Sequence, residues 1–73
     1  GRLFFDEMPL PEVAKILERS YGVHITFATD SLRDFRFYGS FSRSEQGIKD
    51  ILQALVKTGK VRYTQTNKEI TLY

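Results

Sequence analysis

Few side chains in this sequence have the type and spacing that chemistry requires. His24 is the only histidine, and there is no cysteine. The missing cysteines exclude thiolate catalysis, disulfides and Cys-ligated zinc. A metal site would need further ligands at coordinating spacing around His24, and general-base catalysis would need a nucleophile within its reach. Because the sequence shows neither, we predict no metal ion, no other cofactor and no catalytic residue.

Neighbouring carboxylates are the next candidates for acid–base chemistry. Asp6 is adjacent to Glu7, and Asp30 lies close to Asp34. Such pairs act as acid and base only when they face each other in a deep cleft, which a domain of this size rarely offers. Each of these groups falls in a predicted turn or at a helix end, where solvation is the usual outcome. The glycines are scattered singly, so no phosphate-binding loop is present. We therefore predict that the domain is not an enzyme.

Aromatic and basic residues interleave in Phe35–Tyr38 and Lys60–Tyr63. This pattern invites comparison with RNA-recognition domains, which share a βαββαβ order and stack bases on sheet aromatics. Their third strand requires Lys/Arg-Gly-aromatic-Gly/Ala-Phe-Val-x-aromatic. Here the matching strand reads Phe-Arg-Phe-Tyr-Gly-Ser-Phe, and the core needs its phenylalanines. The net charge of +2 is not gathered into a basic block. An RNA-binding domain is thus the least favoured alternative, and we expect no nucleic-acid partner.

Length and composition indicate one small globular domain covering residues 1–73. Six Phe and four Tyr supply large apolar surfaces to a small core. No apolar run approaches the ~20 residues of a membrane helix, so the domain itself is predicted not to contact the membrane. No signal peptide precedes the first strand-like segment. We therefore expect a fragment of a longer protein, whose targeting signals lie upstream.

The first half of the chain predicts a strand, a helix and a second strand. Leu3–Asp6 reads as a strand that Met8 and the prolines around it bring to an end. Pro11 suits the first turn of a helix, and Gly22 suits its C-terminal cap. Val23–Phe27 then alternates as a half-buried strand does, before turn residues at 29–31. The apolar helix positions are Leu10, Val13, Ile16 and Leu17.

The second half repeats this order. Phe35–Phe41 alternates as a strand, with Gly39 marking a bulge or a close approach of backbone. A capping box of Ser42 with Glu45 can open the next helix, and Ser44 is an alternative cap. The apolar helix positions are Ile48, Ile51, Leu52, Leu55 and Val56, ahead of a terminating Gly59.

The chain closes with two strands, Val61–Thr64 and Glu69–Leu72, joined by a hairpin-like turn at 66–68. The complete order is therefore β-α-β followed by β-α-β-β. This order predicts an α+β fold that consists of two diverged internal repeats. Neither half can bury its helix stripe alone. We expect the two halves to share one core.

Apolar and glycine positions form a pattern over almost the whole chain. In the first half they are Leu3-Phe4-Phe5, Met8-Pro9-Leu10, Val13, Ile16-Leu17 and Tyr21-Gly22-Val23. In the second half they are Phe37, Gly39, Phe41, Glu45-Gln46-Gly47-Ile48, Ile51-Leu52, Thr58-Gly59, Tyr63 and Ile70-Thr71-Leu72. In this pattern the sequence resembles the C-terminal domain of FecR-like anti-sigma regulators. It is also similar to the N-terminal signalling domains of TonB-dependent transporters and secretins. The Tyr-Gly-Val and Phe-x-Gly-x-Phe segments favour the FecR-like family.

The resemblance implies two βαβ-type repeats whose helices pack between two small sheets. It also implies a periplasmic domain that follows a single membrane span in an inner-membrane protein. Such a domain senses the signalling domain of a TonB-dependent outer-membrane transporter and relays this to a sigma factor. The family has no catalytic residues to carry over. The alternative is the signalling domain of a transporter or secretin itself.

Partner contacts are predicted on the strand faces opposite the core. Short sheets leave strand edges exposed, and an exposed edge can pair with another chain through main-chain hydrogen bonds. Alternation along the predicted strands places four polar or amphipathic side chains on these faces. We predict partner contact for His24, Thr26, Arg36 and Tyr38.

Overall fold

The computed structural model describes residues 1–73 and contains five strands, two α-helices and one 3₁₀ helix. The first half consists of β1 (Arg2–Pro9), α1 (Leu10–Tyr21) and β2 (His24–Phe27). The 3₁₀ helix Asp30–Asp34 links the halves. The second half consists of β3 (Arg36–Ser42), α2 (Glu45–Lys57), β4 (Tyr63–Thr66) and β5 (Glu69–Leu72). The predicted α+β fold and its β-α-β, β-α-β-β order are confirmed.

Each half contributes strands to both sheets. β1 and β3 form an antiparallel two-stranded sheet. β5 is the centre of the second sheet, parallel to β2 and antiparallel to β4. The first strand of each repeat thus lies in one sheet and its later strands lie in the other. Because each sheet contains strands from both halves, neither half can form a complete sheet alone.

Strand β1 is longer than predicted. It does not stop at Asp6 but continues to Pro9, through a bulge between Phe5 and Met8. Glu7 lies within this bulge and has a positive φ of 49°. Proline is tolerated there because β1 is an edge strand, where a missing N–H breaks no ladder. The predicted strand end was wrong because pairing with β3 resumes beyond the bulge.

Both ends of α1 follow the prediction. Pro11 lies in the first turn, where its missing N–H has no helical partner to lose. Gly22 adopts the left-handed conformation, with φ of 66°, and donates its N–H to the carbonyl of Glu18 at 2.9 Å. That geometry carries little steric cost in glycine.

The cap of α2 is Ser44 and not Ser42. The Ser44 hydroxyl accepts the backbone N–H of Gly47 at 3.3 Å. Ser42 is the last residue of β3, so it cannot also open the helix. The helix ends at Lys57, and Gly59 follows with φ of 79°. The predicted helix is confirmed, and Ser44 is its N-terminal cap.

The fourth strand begins two residues later than predicted, at Tyr63 instead of Val61. Val61 is 1% exposed and belongs to the core. Arg62 exchanges two backbone hydrogen bonds with Tyr73, at 2.7 and 2.9 Å. Backbone pairing of the hairpin therefore begins at Arg62, one residue after the predicted start. Its turn follows at Asn67, where φ is 54°.

The other strand limits differ by single residues from the prediction. β2 starts at His24 and not at Val23, and β3 runs from Arg36 to Ser42. The predicted turn at 29–31 opens the 3₁₀ helix, which buries Leu32 in the core.

One hydrophobic core joins both helices and both sheets, as predicted. The apolar helix faces meet there, although Ile16 and Ile48 are only partly buried. Val56 was placed in the second apolar stripe, but it is 42% exposed because it lies at the margin of the α2 face. The buried side chains are Leu3, Phe5, Leu10, Val13, Ala14, Leu17, Ile25, Leu32, Phe37, Ile51, Leu52, Leu55, Val61, Ile70 and Leu72.

A cluster of three phenylalanines fills the inner face of the β1–β3 sheet. The rings of Phe5 and Phe37 are 5.5 Å apart, and Phe41 stacks on Phe37 at 5.9 Å. The Phe41 ring passes over Gly39, where an added Cβ would lie 2.6 Å from it. The close contact at Gly39 is thus with an aromatic ring and not with backbone as predicted, and the bulge lies on the partner strand β1.

Candidate partner-binding surface

The side chains predicted for partner contact are exposed but lie on two different sheets. His24 and Thr26 point outward from β2, in the three-stranded sheet. Arg36 and Tyr38 point outward from β3, in the two-stranded sheet. The structure therefore forms two pairs and does not bring the four residues into a single patch.

His24 lies beside one carboxylate. Its Nδ1 is 3.7 Å from Oε2 of Glu18, and its side chain is largely solvent-exposed. No three side chains of His, Asp or Glu lie close enough to share a metal ion. Of the paired carboxylates, Asp6 and Glu7 are exposed at the bulge of β1. Asp30 forms an ion pair with Arg33 at 2.9 Å.

The β1–β3 sheet presents two exposed aromatic rings on its outer face. Phe4 is 70% exposed and Tyr38 is 60% exposed. Arginines flank both rings: Arg2 donates from Nε to Oγ of Ser40 at 2.9 Å, and Arg36 donates to the carbonyl of Glu7 at 3.1 Å. Exposed aromatic rings beside arginines are the residue types enriched in protein interfaces. We call Arg2, Phe4, Arg36, Tyr38 and Ser40 the outer face.

Phe4 is the residue of this face that sequence reasoning missed. The sequence pattern predicts a strand for Phe4 but was not used to decide which face of the strand its ring is on. Its neighbours Leu3 and Phe5 are both buried. Since successive strand residues point to opposite faces, the alternation Leu3, Phe4, Phe5 carries the signal. An aromatic residue between two core residues of a strand has to point outward.

The free edge of β2 faces a groove against α1. The groove has a volume of about 370 Å³ and is lined by residues of both elements, among them Lys15 and Thr26. Within it, the N–H of Ile25 donates to Oε2 of Glu18 at 2.9 Å. The guanidinium of Arg33 lies over the Phe27 ring at 4.9 Å. The chain's own side chains therefore cover this edge.

A second groove, of about 460 Å³, lies between β1 and α1. Arg2 and Phe4 line it from β1, and Arg19 lines it from α1. Arg43 enters from the chain segment after β3 and donates to the Ser20 hydroxyl at 3.3 Å. Three arginines and no carboxylate line this groove. We call it the β1 groove.

The phenylalanines on the inner face of β3 are not available for base stacking. Phe37 is 3% exposed, and Phe35 and Phe41 are partly buried against the core. RNA-recognition domains also use a single four-stranded sheet. This chain instead divides its strands between sheets of two and three. The RNA-recognition fold is therefore excluded.

Comparison with known proteins gives a consistent result. A family model described as "FecR, C-terminal" matches residues 2–72. Two crystal structures of a candidate anti-sigma factor from Parabacteroides distasonis superpose on the whole chain, with TM-scores of 0.84 and 0.83 and 27% sequence identity. This chain spans only 34% and 33% of the length of those structures. No curated protein matches the sequence.

The family match extends over nearly the whole chain, and it includes both repeats and the glycines that shape them. The similarity to the Parabacteroides structures covers the same elements from end to end. The chain therefore belongs to the family of FecR C-terminal domains.

Proposed function

We propose that this chain is the protein-binding, signal-relay domain of an anti-sigma regulator. In this proposal it senses the signalling domain of a TonB-dependent outer-membrane transporter. Two findings support the regulatory class: the family match and the similarity to a candidate anti-sigma factor. The same matches favour a regulator over a transporter's own signalling domain. The domain has a binding role and no catalytic one.

A domain with this function would lie in the periplasm, as part of a longer membrane-anchored protein. The matched structures are about three times as long as this chain, which supports its being one domain of several. Neither helix is long and apolar enough to cross a membrane. In the proposal, any anchor belongs to another part of the protein.

The observation that carries the binding role is the outer face. Phe4 and Tyr38 together expose two large rings on a two-stranded sheet, next to Arg2 and Arg36. An exposed aromatic ring gains free energy when a partner covers it, and Tyr and Arg are common among the residues that dominate interfaces. We therefore assign the main contact to Arg36 and Tyr38 with Phe4. His24 and Thr26 are proposed as a secondary contact on the other sheet.

The proposal can be tested in cells that carry the complete regulator. A reporter gene controlled by its sigma factor is measured with and without the inducing ligand of the transporter. Tyr38→Ala is expected to abolish the response, while Lys49→Ala on the exposed face of α2 leaves it intact. Regulator levels are checked in parallel. A response that survives Tyr38→Ala, Arg36→Ala and Phe4→Ala together would overturn the proposed contact.

A further inference from the structure

Strand β1 has a free edge that no side chain of the protein caps. It pairs only with β3, so its other edge has no strand partner. Gly1 accepts the N–H of Arg43 across this pair, which makes that position a hydrogen-bonded one. Hydrogen-bonded and non-hydrogen-bonded positions alternate along an antiparallel pair. Arg2 and Phe4 are therefore non-hydrogen-bonded positions, and their N–H and C=O groups point away from β3.

The edge of β2 differs in this respect. There the outward N–H of Ile25 is occupied by the Glu18 carboxylate. The edge of β4 carries only Tyr63, Thr64, Gln65 and Thr66, with no groove beside it. The two sheets have four outer edges, and no residue of β3 or β4 lines a groove. Only β1 therefore combines uncapped backbone groups with a groove that could hold an added strand.

The charges of the β1 groove indicate what would occupy it. Arg2, Arg19 and Arg43 all line it, and none of them has a carboxylate within 4.0 Å. Arg2 and Arg43 donate hydrogen bonds to neutral hydroxyls, those of Ser40 and Ser20. Unneutralised guanidinium groups favour a ligand that carries carboxylates, which they bind through paired hydrogen bonds.

We propose that an extended segment of the partner protein, carrying carboxylate side chains, adds to the free edge of β1 and lies in the β1 groove. Its backbone would pair with the outward groups of Arg2 and Phe4, as in other complexes formed by strand addition. Its carboxylates on the helix side would face Arg19 and Arg43. This inference rests on the proposed function, because the segment belongs to the protein that the domain senses.

Two other occupants fit less well. A second copy of the chain would bring an identical set of three arginines to the same edge, which like-charge repulsion disfavours. Single-stranded RNA would neutralise the arginines but would leave the outward N–H and C=O groups of Arg2 and Phe4 without strand partners. The observations therefore favour an acidic, extended protein segment.

Nuclear magnetic resonance with hydrogen exchange tests this site directly. The probe is a synthetic peptide of alternating Glu and Val with blocked ends, and its control carries Gln at every Glu. The Glu peptide is expected to slow exchange of the Arg2 and Phe4 amides. Replacing Glu by Gln should weaken binding about tenfold at low salt, the scale of a few partly exposed charge pairs. The signalling domain of the neighbouring transporter should displace the peptide.

Charge variants locate the site. Arg19→Gln with Arg43→Gln is expected to weaken Glu-peptide binding about tenfold. Arg62→Gln with Lys57→Gln makes the same charge change away from the groove and should leave binding within about twofold. Circular dichroism of each variant verifies its fold. Equal weakening by both pairs would overturn the site.

The outcomes separate the inference from the proposed function. A signalling domain that binds without slowing the Phe4 amide, and regardless of Arg19→Gln with Arg43→Gln, overturns the β1 site and leaves the function standing. A peptide that binds at β1 while the signalling domain does not bind at all supports the site and contradicts the function. Protection of Phe4 that grows with protein concentration alone indicates a second copy and overturns the inference. RNA binding that depends on the same arginines, without peptide binding, also overturns it.

Discussion

The Glu18 carboxylate accepts the backbone N–H of Ile25 at 2.9 Å and so ties helix α1 to the free edge of β2. Glu18 lies one turn before the end of α1, and its backbone carbonyl also receives the capping N–H of Gly22. An unpaired donor at a sheet edge invites pairing with another chain. By occupying this donor, Glu18 protects β2, whereas no comparable side chain protects β1. This difference leaves β1, unlike β2, open to pairing with another chain.

Replacing Glu18 by Ala should release the β2 edge. The Ile25 amide would lose its acceptor, so its hydrogen exchange is expected to accelerate, and the free energy of unfolding should fall by about 1–3 kcal/mol, as for hydrogen bonds to charged groups. Lys15→Ala, on the exposed side of the same helix, is the matched control and should change neither quantity appreciably. Unchanged exchange at Ile25 would show that the Glu18 contact does not persist in solution.

Ile51 is completely buried in the middle of α2, where the helix meets the shared core. Ile51→Ala should lower the free energy of unfolding by about 2–5 kcal/mol, because it removes buried methyl groups and leaves a cavity. Val56→Ala on the same helix is the control, and since Val56 is substantially exposed its cost should be much smaller. Chemical denaturation measures both. A loss at Ile51 below ~0.5 kcal/mol would mean that the helix face is misassigned.

Gly47 permits the first turn of α2 to approach the end of β3. An added Cβ would lie 1.9 Å from the backbone oxygen of Ser42 and 2.8 Å from the Tyr21 hydroxyl. Alanine ordinarily stabilises a helix relative to glycine, by up to about 1 kcal/mol. At this position we expect the opposite sign, a destabilisation of about 1–3 kcal/mol from overpacking against backbone. Lys49→Ala is the exposed control. A Gly47→Ala protein as stable as the original would contradict the close approach.

The Tyr21 hydroxyl is buried and makes no hydrogen bond. A buried polar group without a partner costs about 1–3 kcal/mol, so removing it should stabilise the fold or leave it unchanged. We therefore expect Tyr21→Phe to raise the midpoint of thermal unfolding, whereas Tyr38→Phe on the exposed outer face should not alter it. A clear loss of stability in Tyr21→Phe would show that the hydroxyl has a partner in solution.

Local features of the fold were predictable from the sequence because they depend on neighbouring residues. Pro11 and Gly22 mark the ends of α1 through their own backbone preferences. The apolar spacing identified both buried helix faces, with Val56 as the exception. The length of β1 was not predictable, because β3, far away in the sequence, determines that pairing resumes at Met8.

In the candidate site too, only the features that depend on neighbouring residues were predictable. Alternation along single strands correctly placed His24, Thr26, Arg36 and Tyr38 on exposed faces. It could not show that these residues separate into two sheets, since sheet membership depends on pairing between the halves. The β1 groove could not be predicted from the sequence for a related reason. Its three arginines come together only when α1 packs beside β1; they are Arg2, Arg19 and Arg43.

The central claim is that this domain binds the signalling domain of a TonB-dependent transporter. Calorimetric titration against the signalling domain encoded beside the regulator tests it most directly, with a generic single-stranded RNA as the control ligand. We predict one-to-one binding of the signalling domain that persists from low to moderate salt, because pairing at a strand edge and burial of aromatic rings do not depend on counterion release. Tight, salt-sensitive binding of the RNA, with no heat from the signalling domain, would contradict the account.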